Sequence, residues 1–124
     1  MKRDLNDRTK AFALRIIRLY SALPNTTETQ VLGKQVLRSG TSVGAHYREA
    51  NRARSTAEFV SKIGVGLQEL EETSYWLELL IESELVEPKK LNGLVQETQE
   101  LIAIFVTLSK NAKKEEGERR KDEG

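Results

Sequence analysis

The chain has 124 residues, a formal net charge of +1, and a composition of 38% hydrophobic and 31% charged residues, which is typical of one soluble domain with a charged surface. It contains no cysteine and a single histidine, His46, which excludes disulfides, thiolate metal sites and multi-histidine metal sites within one chain. No apolar run is long enough to cross a bilayer and the N-terminal residues lack a signal-peptide core, so we expect a cytoplasmic protein without a membrane partner.

Two helices are predicted in the first half of the chain. Apolar residues at intervals of three and four predict a helix over about 7–23, with Asn6 or Asp7 as its N-cap. After Pro24, a capping box formed by Thr27 and Gln30 opens a second helix over about 27–53.

The second half predicts two further helices and a tail. Ser55 and Glu58 form another candidate capping box, which opens a third helix over about 56–85. Pro88 at a first-turn position opens a fourth over about 88–112. Residues 113–124, "KKEEGERRKDEG", have no apolar side chain to bury and are expected to be a disordered tail. The predicted fold is all-α, an antiparallel up-and-down four-helix bundle over residues 1–112.

The interior glycines of the second and third helices need an explanation, because each costs a helix roughly 1 kcal/mol relative to alanine. Gly40 and Gly44 lie four residues apart on one face, where a neighbouring helix could approach closely. Tight packing within the chain is the favoured interpretation. A kink in the helix and a backbone contact with a phosphate are the alternatives, although "GTSVGAHYR" lacks the P-loop pattern.

A stripe of positive charge runs along the second helix at intervals of three and four residues. We call it the basic stripe, and it consists of Lys34, Arg38, Arg48 and Arg52. Such a stripe suits the phosphate backbone of a nucleic acid, because neutralised phosphates release counterions without base-specific geometry. The alternatives are a merely solvated face, or pairing with the acidic third helix. Residues 1–62 carry 12 Lys and Arg against 5 Asp and Glu, while residues 63–124 carry 8 against 14. A basic half and an acidic half could pair with each other or leave a basic face free for nucleic acid, so the charge distribution does not decide between these possibilities.

The third helix has a second apolar strip, well away from its main stripe, formed by Val65, Trp76 and Leu79. A large aromatic side chain outside the core is commonly an interface anchor, so the strip predicts homo-oligomerisation. A wide core that includes Trp76 is the alternative.

Candidates for catalysis are weak. His46 and Glu49 lie three residues apart on one helix and could serve acid-base chemistry, but a surface imidazole beside a carboxylate is the favoured interpretation. The glutamates of the third helix would bind a metal only if other helices turned carboxylates inward, and their apolar stripes offer none. We therefore expect no enzymatic activity, no metal and no cofactor.

Residues 35–80, "QVLRSGTSVGAHYREANRARSTAEFVSKIGVGLQELEETSYWLELL", resemble a known family. The most specific segments are "RSGTSVGA", "AEF", "LQELEET" and "WL". They are similar to the four-helix-bundle proteins encoded by intervening sequences in bacterial 23S ribosomal RNA genes, a family that includes accessory variability proteins of diversity-generating retroelements. The resemblance implies a non-enzymatic protomer that assembles into a ring-like homopentamer. Retroelement members bind nucleic acid and a reverse transcriptase.

The matched residues have no catalytic pattern, and we interpret them as packing, capping or intersubunit residues: Arg38, Ser39, Ser42, Glu49, Glu58 and Phe59. The sequence therefore predicts an oligomeric bundle that presents the basic stripe to RNA or DNA, with structured RNA favoured, or to a nucleic-acid enzyme such as a reverse transcriptase. The alternative is a structural or protein-interaction adaptor whose basic stripe is used in contacts between subunits.

Overall fold

A computed structural model describes residues 4–123, with no side-chain description for Glu123; the predicted domain's first three residues and the tail's last residue lie outside this range. The described residues form four helices and no strand: α1 (Leu5–Ala22), α2 (Thr27–Asn51), α3 (Thr56–Glu82) and α4 (Pro88–Glu123). The connections span only four or five residues, so consecutive helices run antiparallel. The predicted all-α four-helix fold is confirmed.

The start of α1 and the N-caps of α1 and α2 differ from the predictions by one or two residues. Asp4 caps α1 by accepting from the backbone N–H of Asn6, so neither Asn6 nor Asp7 is the cap. Thr26, rather than Thr27, caps α2 and accepts from the N–H of Thr29. In both cases more than one nearby residue had a suitable side chain, and only the backbone dihedrals decide between them.

The remaining starts agree with the capping chemistry. The hydroxyl of Ser55 accepts from the N–H of Glu58 at 3.1 Å, and the Glu58 carboxylate accepts from the N–H of Arg54 at 3.3 Å. The first residue of α4 is Pro88, as predicted. Glu84, between α3 and α4, has a φ of 62°, so α3 ends earlier than the predicted residue 85.

Each helix turns its apolar stripe inward to one shared core. Phe12 and Ile16 of α1, Val36 and Val43 of α2, and similar pairs on the other helices are almost completely inaccessible to solvent. The α2 and α3 helices also share a buried polar contact, because the hydroxyls of Ser39 and Thr73 lie 2.7 Å apart. This hydrogen bond satisfies two polar groups that would otherwise be buried at a cost.

Gly40 and Gly44 lie where α1 packs closely on α2, in agreement with the favoured interpretation. A Cβ on Gly40 would lie 2.7 Å from Cγ1 of Ile16, and one on Gly44 would lie 3.0 Å from Oγ1 of Thr9. Both distances are shorter than ordinary van der Waals contact. The helix α2 continues through both glycines to Asn51, so the backbone of α2 is uninterrupted there and α1 packs directly against it.

The helix α4 extends to Glu123, which differs from the disordered tail predicted from residue 113. Glu116 accepts a hydrogen bond from the hydroxyl of Thr56 at 3.0 Å and pairs with Arg119 at 2.9 Å and Arg120 at 3.3 Å. The segment therefore lies beside the start of α3. Good helix-forming residues and ion pairs one turn apart continue the helix even though it has no apolar face here. The predicted disorder rested on the lack of apolar residues and did not take these local effects into account.

Helices α1 and α4 are the most loosely joined neighbours. They make only sparse close contacts, whereas α2 packs closely on α1 and α3, and α3 on α4. Arg8 of α1 holds α4 at one position, donating to Glu97 and Glu100 at 2.8 Å. Beyond that position, toward the C-terminal end of α1, a cleft opens between the two helices.

Candidate nucleic-acid interface

The basic stripe lies on the solvent-facing side of α2, because the opposite side packs in the core. All four cations, Lys34, Arg38, Arg48 and Arg52, are exposed, with Ala45 exposed between them. The side chains point away from the buried Val36 and Val43 by about half a turn. The predicted stripe is thus a solvent-facing surface in the protomer.

Arg38 differs from the other three because it pairs with α3 of the same chain. Its guanidinium donates to Glu72 at 2.7 Å and to Glu69 at 3.3 Å. These contacts raise the pKa of Arg38, with the Glu72 hydrogen bond as the largest cause. Half of the side chain remains accessible, at 51%. Arg38 therefore pairs with the acidic third helix, which was one of the alternatives for the basic stripe.

A second bridge between α2 and α3 lies nearer the turn. Glu49 accepts from Lys62 at 2.9 Å, and Nδ1 of His46 is 3.7 Å from the Glu49 carboxylate. The Lys62 hydrogen bond lowers the pKa of Glu49, and the charges of Lys62 and His46 act in the same direction. The imidazole is partly buried, and its Nδ1 has no hydrogen-bond partner among the described residues.

The free positive charge concentrates where α2 ends. Arg48 and Arg52 are exposed and make no salt bridge with any described residue, and Arg54 in the turn to α3 is likewise exposed and unpaired. Arg54 was missed by the helical periodicity because it lies after the last turn of α2, although the run "NRARS" signals it. We call Arg48, Arg52 and Arg54 the turn-end arginines. Lys34 lies about 20 Å away along the helix axis.

The apolar strip on α3 is only partly outside the core. Val65 is 36% exposed, whereas Trp76 and Leu79 are half-buried and Trp76 packs against the core. The indole Nε1 of Trp76 is buried without a hydrogen-bond partner. The exposed aromatic side chain is its neighbour Tyr75, at 52%, with ring centroids 5.1 Å apart. Sequence periodicity did not single out Tyr75.

Neither a metal cluster nor a membrane span is found in the described part of the chain. Residues 4–123 contain no group of three or more acidic, histidine or cysteine side chains placed to hold a metal ion. No helix in that range is long and apolar enough to span a membrane.

The fold and surface define a small antiparallel four-helix bundle with a basic stripe on the exposed face of α2. Comparison with known proteins identifies its family. The model of the 23S rRNA-intervening sequence proteins matches residues 2–107, so the chain belongs to that family, as the sequence resemblance implied. A search of curated proteins gave no match.

A solved structure agrees with this placement. The chain is 39% identical to a protein with unknown function from the S23 ribosomal protein family of Bacteroides thetaiotaomicron VPI-5482, whose crystal structure was determined at 1.70 Å. The match covers 86% of this chain and 99% of the other, with a TM-score of 0.81.

Proposed function

We propose that this protein is a non-enzymatic homo-oligomer that binds structured RNA through the basic stripe on α2. The observation that carries the proposal is the group of turn-end arginines, three exposed guanidinium groups without salt bridges at one end of a rigid helix. Unpaired arginines retain their full capacity to neutralise phosphates, and Arg binds phosphate oxygens in a bidentate manner.

Within the basic stripe, the residues have different roles in this proposal. Arg48 and Arg52 make the main phosphate contacts. Lys34 extends the same surface and reaches a phosphate further along the nucleic acid. Arg38 contributes less, because an RNA phosphate would have to compete with Glu69 and Glu72 for its guanidinium.

Self-association is the second element of the proposal, with a ring-like homopentamer as the expected assembly. The support is the apolar strip on α3, together with the exposed ring of Tyr75 beside it. Copies that cover Val65, Trp76 and Leu79 would place several basic stripes around one particle. Multiple weak phosphate-binding surfaces then act together on one RNA.

The assembly is tested by light scattering coupled to size-exclusion chromatography. Val65→Asp and Tyr75→Asp should reduce the mass from the oligomer to a single chain, because each places a charge in an apolar contact. Glu71→Asp, also exposed on α3, is the control and should leave the mass unchanged. A wild-type mass of one chain at micromolar concentration contradicts the oligomer.

RNA binding is tested with a folded RNA over a series of salt concentrations. Binding should weaken steeply with salt, and Arg48→Gln with Arg52→Gln should lower the magnitude of the log-log slope by roughly 1.5 to 2, as expected for two lost phosphate contacts. The matched control, Lys10→Gln with Lys110→Gln, removes the same charge from exposed positions elsewhere and should change the slope little. Absence of binding at low salt rules the proposal out.

The competing function is a protein-interaction adaptor without nucleic-acid binding. The ion pairs of Arg38 with Glu69 and Glu72, and of Lys62 with Glu49, favour it because they show that α2 charges already serve helix contacts. If RNA fails to bind, a nucleic-acid enzyme such as a reverse transcriptase becomes the partner to test, using the same Arg48 and Arg52 variants.

A further inference from the structure

The cleft between α1 and α4 has the size of a small-molecule site. It has a volume of about 610 Å³ and is closed at one end by the connection from α3 to α4. Ligand sites in proteins commonly occupy roughly 300 to 1,000 Å³. Its apolar lining includes Leu19 of α1 and Leu91 and Leu94 of α4. Leu91 and Leu94 form the floor of the cleft and are buried core residues, whereas the lining side chains of Leu19, Leu23 and Val86 are partly exposed.

The cleft lies between α1 and α4, beyond the Arg8 bridge. Arg8 pairs with Glu97 and Glu100 near the start of α1, and the cleft is lined on the α1 side by residues from Arg15 to Ala22. An elongated apolar molecule lying along α1 would therefore fill space that neither helix fills. It would also cover the partly exposed side chains of Leu19, Leu23 and Val86, which line the cleft.

The mouth of the cleft carries uncompensated positive charge. Arg15, Arg18 and Lys90 line it, are exposed, and make no salt bridge with any residue between 4 and 123. The lining carboxylate of Glu87 pairs with Lys89 at 3.7 Å, which leaves Glu84 as the single uncompensated acid. The excess of positive charge at the mouth therefore favours the binding of an anionic group.

Gly93 lets one of these cations lie directly over α4. A Cβ at Gly93 would be only 3.1 Å from Nη2 of Arg15, so the guanidinium uses the space left by the missing side chain. An anion placed there would meet a guanidinium that lies next to the backbone of α4.

From this arrangement we propose that the cleft binds a single-chain amphiphile with one carboxylate headgroup. The carboxylate lies among Arg15, Arg18 and Lys90, and the alkyl chain lies on the leucine floor. Charged hydrogen bonds to guanidinium groups hold the head, and burial of methylene groups holds the tail. This site is separate from the basic stripe, so it does not depend on the RNA proposal.

Titration calorimetry with dodecanoate tests the proposal, with amide chemical shifts to locate the site. We expect saturable binding with shifts at Ala22, Gly93 and Leu94. Arg15→Gln with Arg18→Gln should weaken binding at least about fivefold, as expected for the loss of two ion-pair partners. Ala22→Phe, at an exposed lining position, should weaken it by occupying the cleft. Lys10→Gln with Lys110→Gln should bind as the wild type does.

Two further ligands separate the contributions of head and tail. Acetate lacks the tail and dodecyltrimethylammonium reverses the charge of the head, so both should bind far more weakly than dodecanoate. Equal binding of the cationic amphiphile, unchanged binding by the Arg15 and Arg18 double variant, or no binding at millimolar dodecanoate overturns the proposal. Circular dichroism melts confirm that each variant is folded before it is compared.

Discussion

Arg38 and Glu72 join α2 to α3 through a 2.7 Å hydrogen bond between a guanidinium and a carboxylate. The same guanidinium also reaches Glu69, so one cation of the basic stripe is held by its own chain. This relationship divides the stripe into a cation committed to the fold and others that remain available to a partner.

Arg38→Gln is expected to lower the free energy of unfolding by less than about 1 kcal/mol, because the side chain is half exposed and water screens the pairs. Its effect on RNA affinity should be smaller than that of Arg48→Gln. Urea denaturation and the RNA titration measure the two quantities. An affinity loss from Arg38→Gln equal to that from Arg48→Gln would mean that RNA displaces Glu69 and Glu72.

Two glycines in α3 should respond to alanine with opposite signs. A Cβ on Gly66 would lie 2.7 Å from Cε2 of the buried Phe105, whereas nothing lies within 4 Å of one on Gly64. Gly66→Ala should destabilise the fold by about 1 to 3 kcal/mol through overpacking. Gly64→Ala should stabilise it by up to about 1 kcal/mol through helix propensity. Thermal and urea unfolding compare them, and a gain in both variants would show that Phe105 moves aside without cost.

Acid should release the C-terminal part of α4. The hydrogen bond from Thr56 lowers the pKa of Glu116, and the charges of Arg119 and Arg120 lower it further against the effect of burial. Since the folded-state pKa is the lower one, this stabilisation is complete above the ordinary glutamate value of about 4.3 and is lost as the pH falls through the lowered value.

Hydrogen-exchange protection factors measure that release. Amides of residues 113–120 should lose protection at about pH 3 relative to neutral pH, while the core of α3 keeps its protection. Glu116→Gln should produce the loosened segment already at neutral pH, whereas Glu115→Gln, at an exposed position, should not. Full protection in Glu116→Gln would show that helix propensity alone docks the segment.

Glu84→Gly should stabilise the protein. Glu84 has a φ of 62°, in the left-handed region where a Cβ costs roughly 1 to 2 kcal/mol, while the N–H groups of Leu85 and Val86 both donate to the carbonyl of Leu80. Removing the Cβ relieves that strain, and we expect a gain of about 0.5 to 1 kcal/mol in thermal unfolding. Ser83→Gly, where φ is −81°, is the control and should give no gain.

Local chemistry made most of the fold predictable. The intervals of three and four residues located four helices, and the Ser55 and Glu58 pair located the start of α3, because these signals lie within one or two turns of one chain segment. The predicted close approach at Gly40 was also local in origin, since missing side chains on one face leave room for a neighbour. Its partner, Ile16, required the tertiary structure.

The candidate sites depended on contacts between distant segments. Arg38 and Arg48 look equivalent on a helical projection of α2, yet only Arg38 lies opposite carboxylates, because the register of α2 against α3 brings Glu69 and Glu72 to it. The cleft at Arg15 and the docked end of α4 at Thr56 arise in the same way from helices far apart in the chain.

The amino-acid sequence by itself determined most helix positions, the apolar faces and the existence of a basic stripe, because each follows from residues one or two turns apart, and its resemblance over residues 35–80 indicated the family. Only the tertiary structure decided which cations are paired, where the bundle stays open and whether residues after 112 remain helical, because charge pairing and packing depend on the relative position of helices.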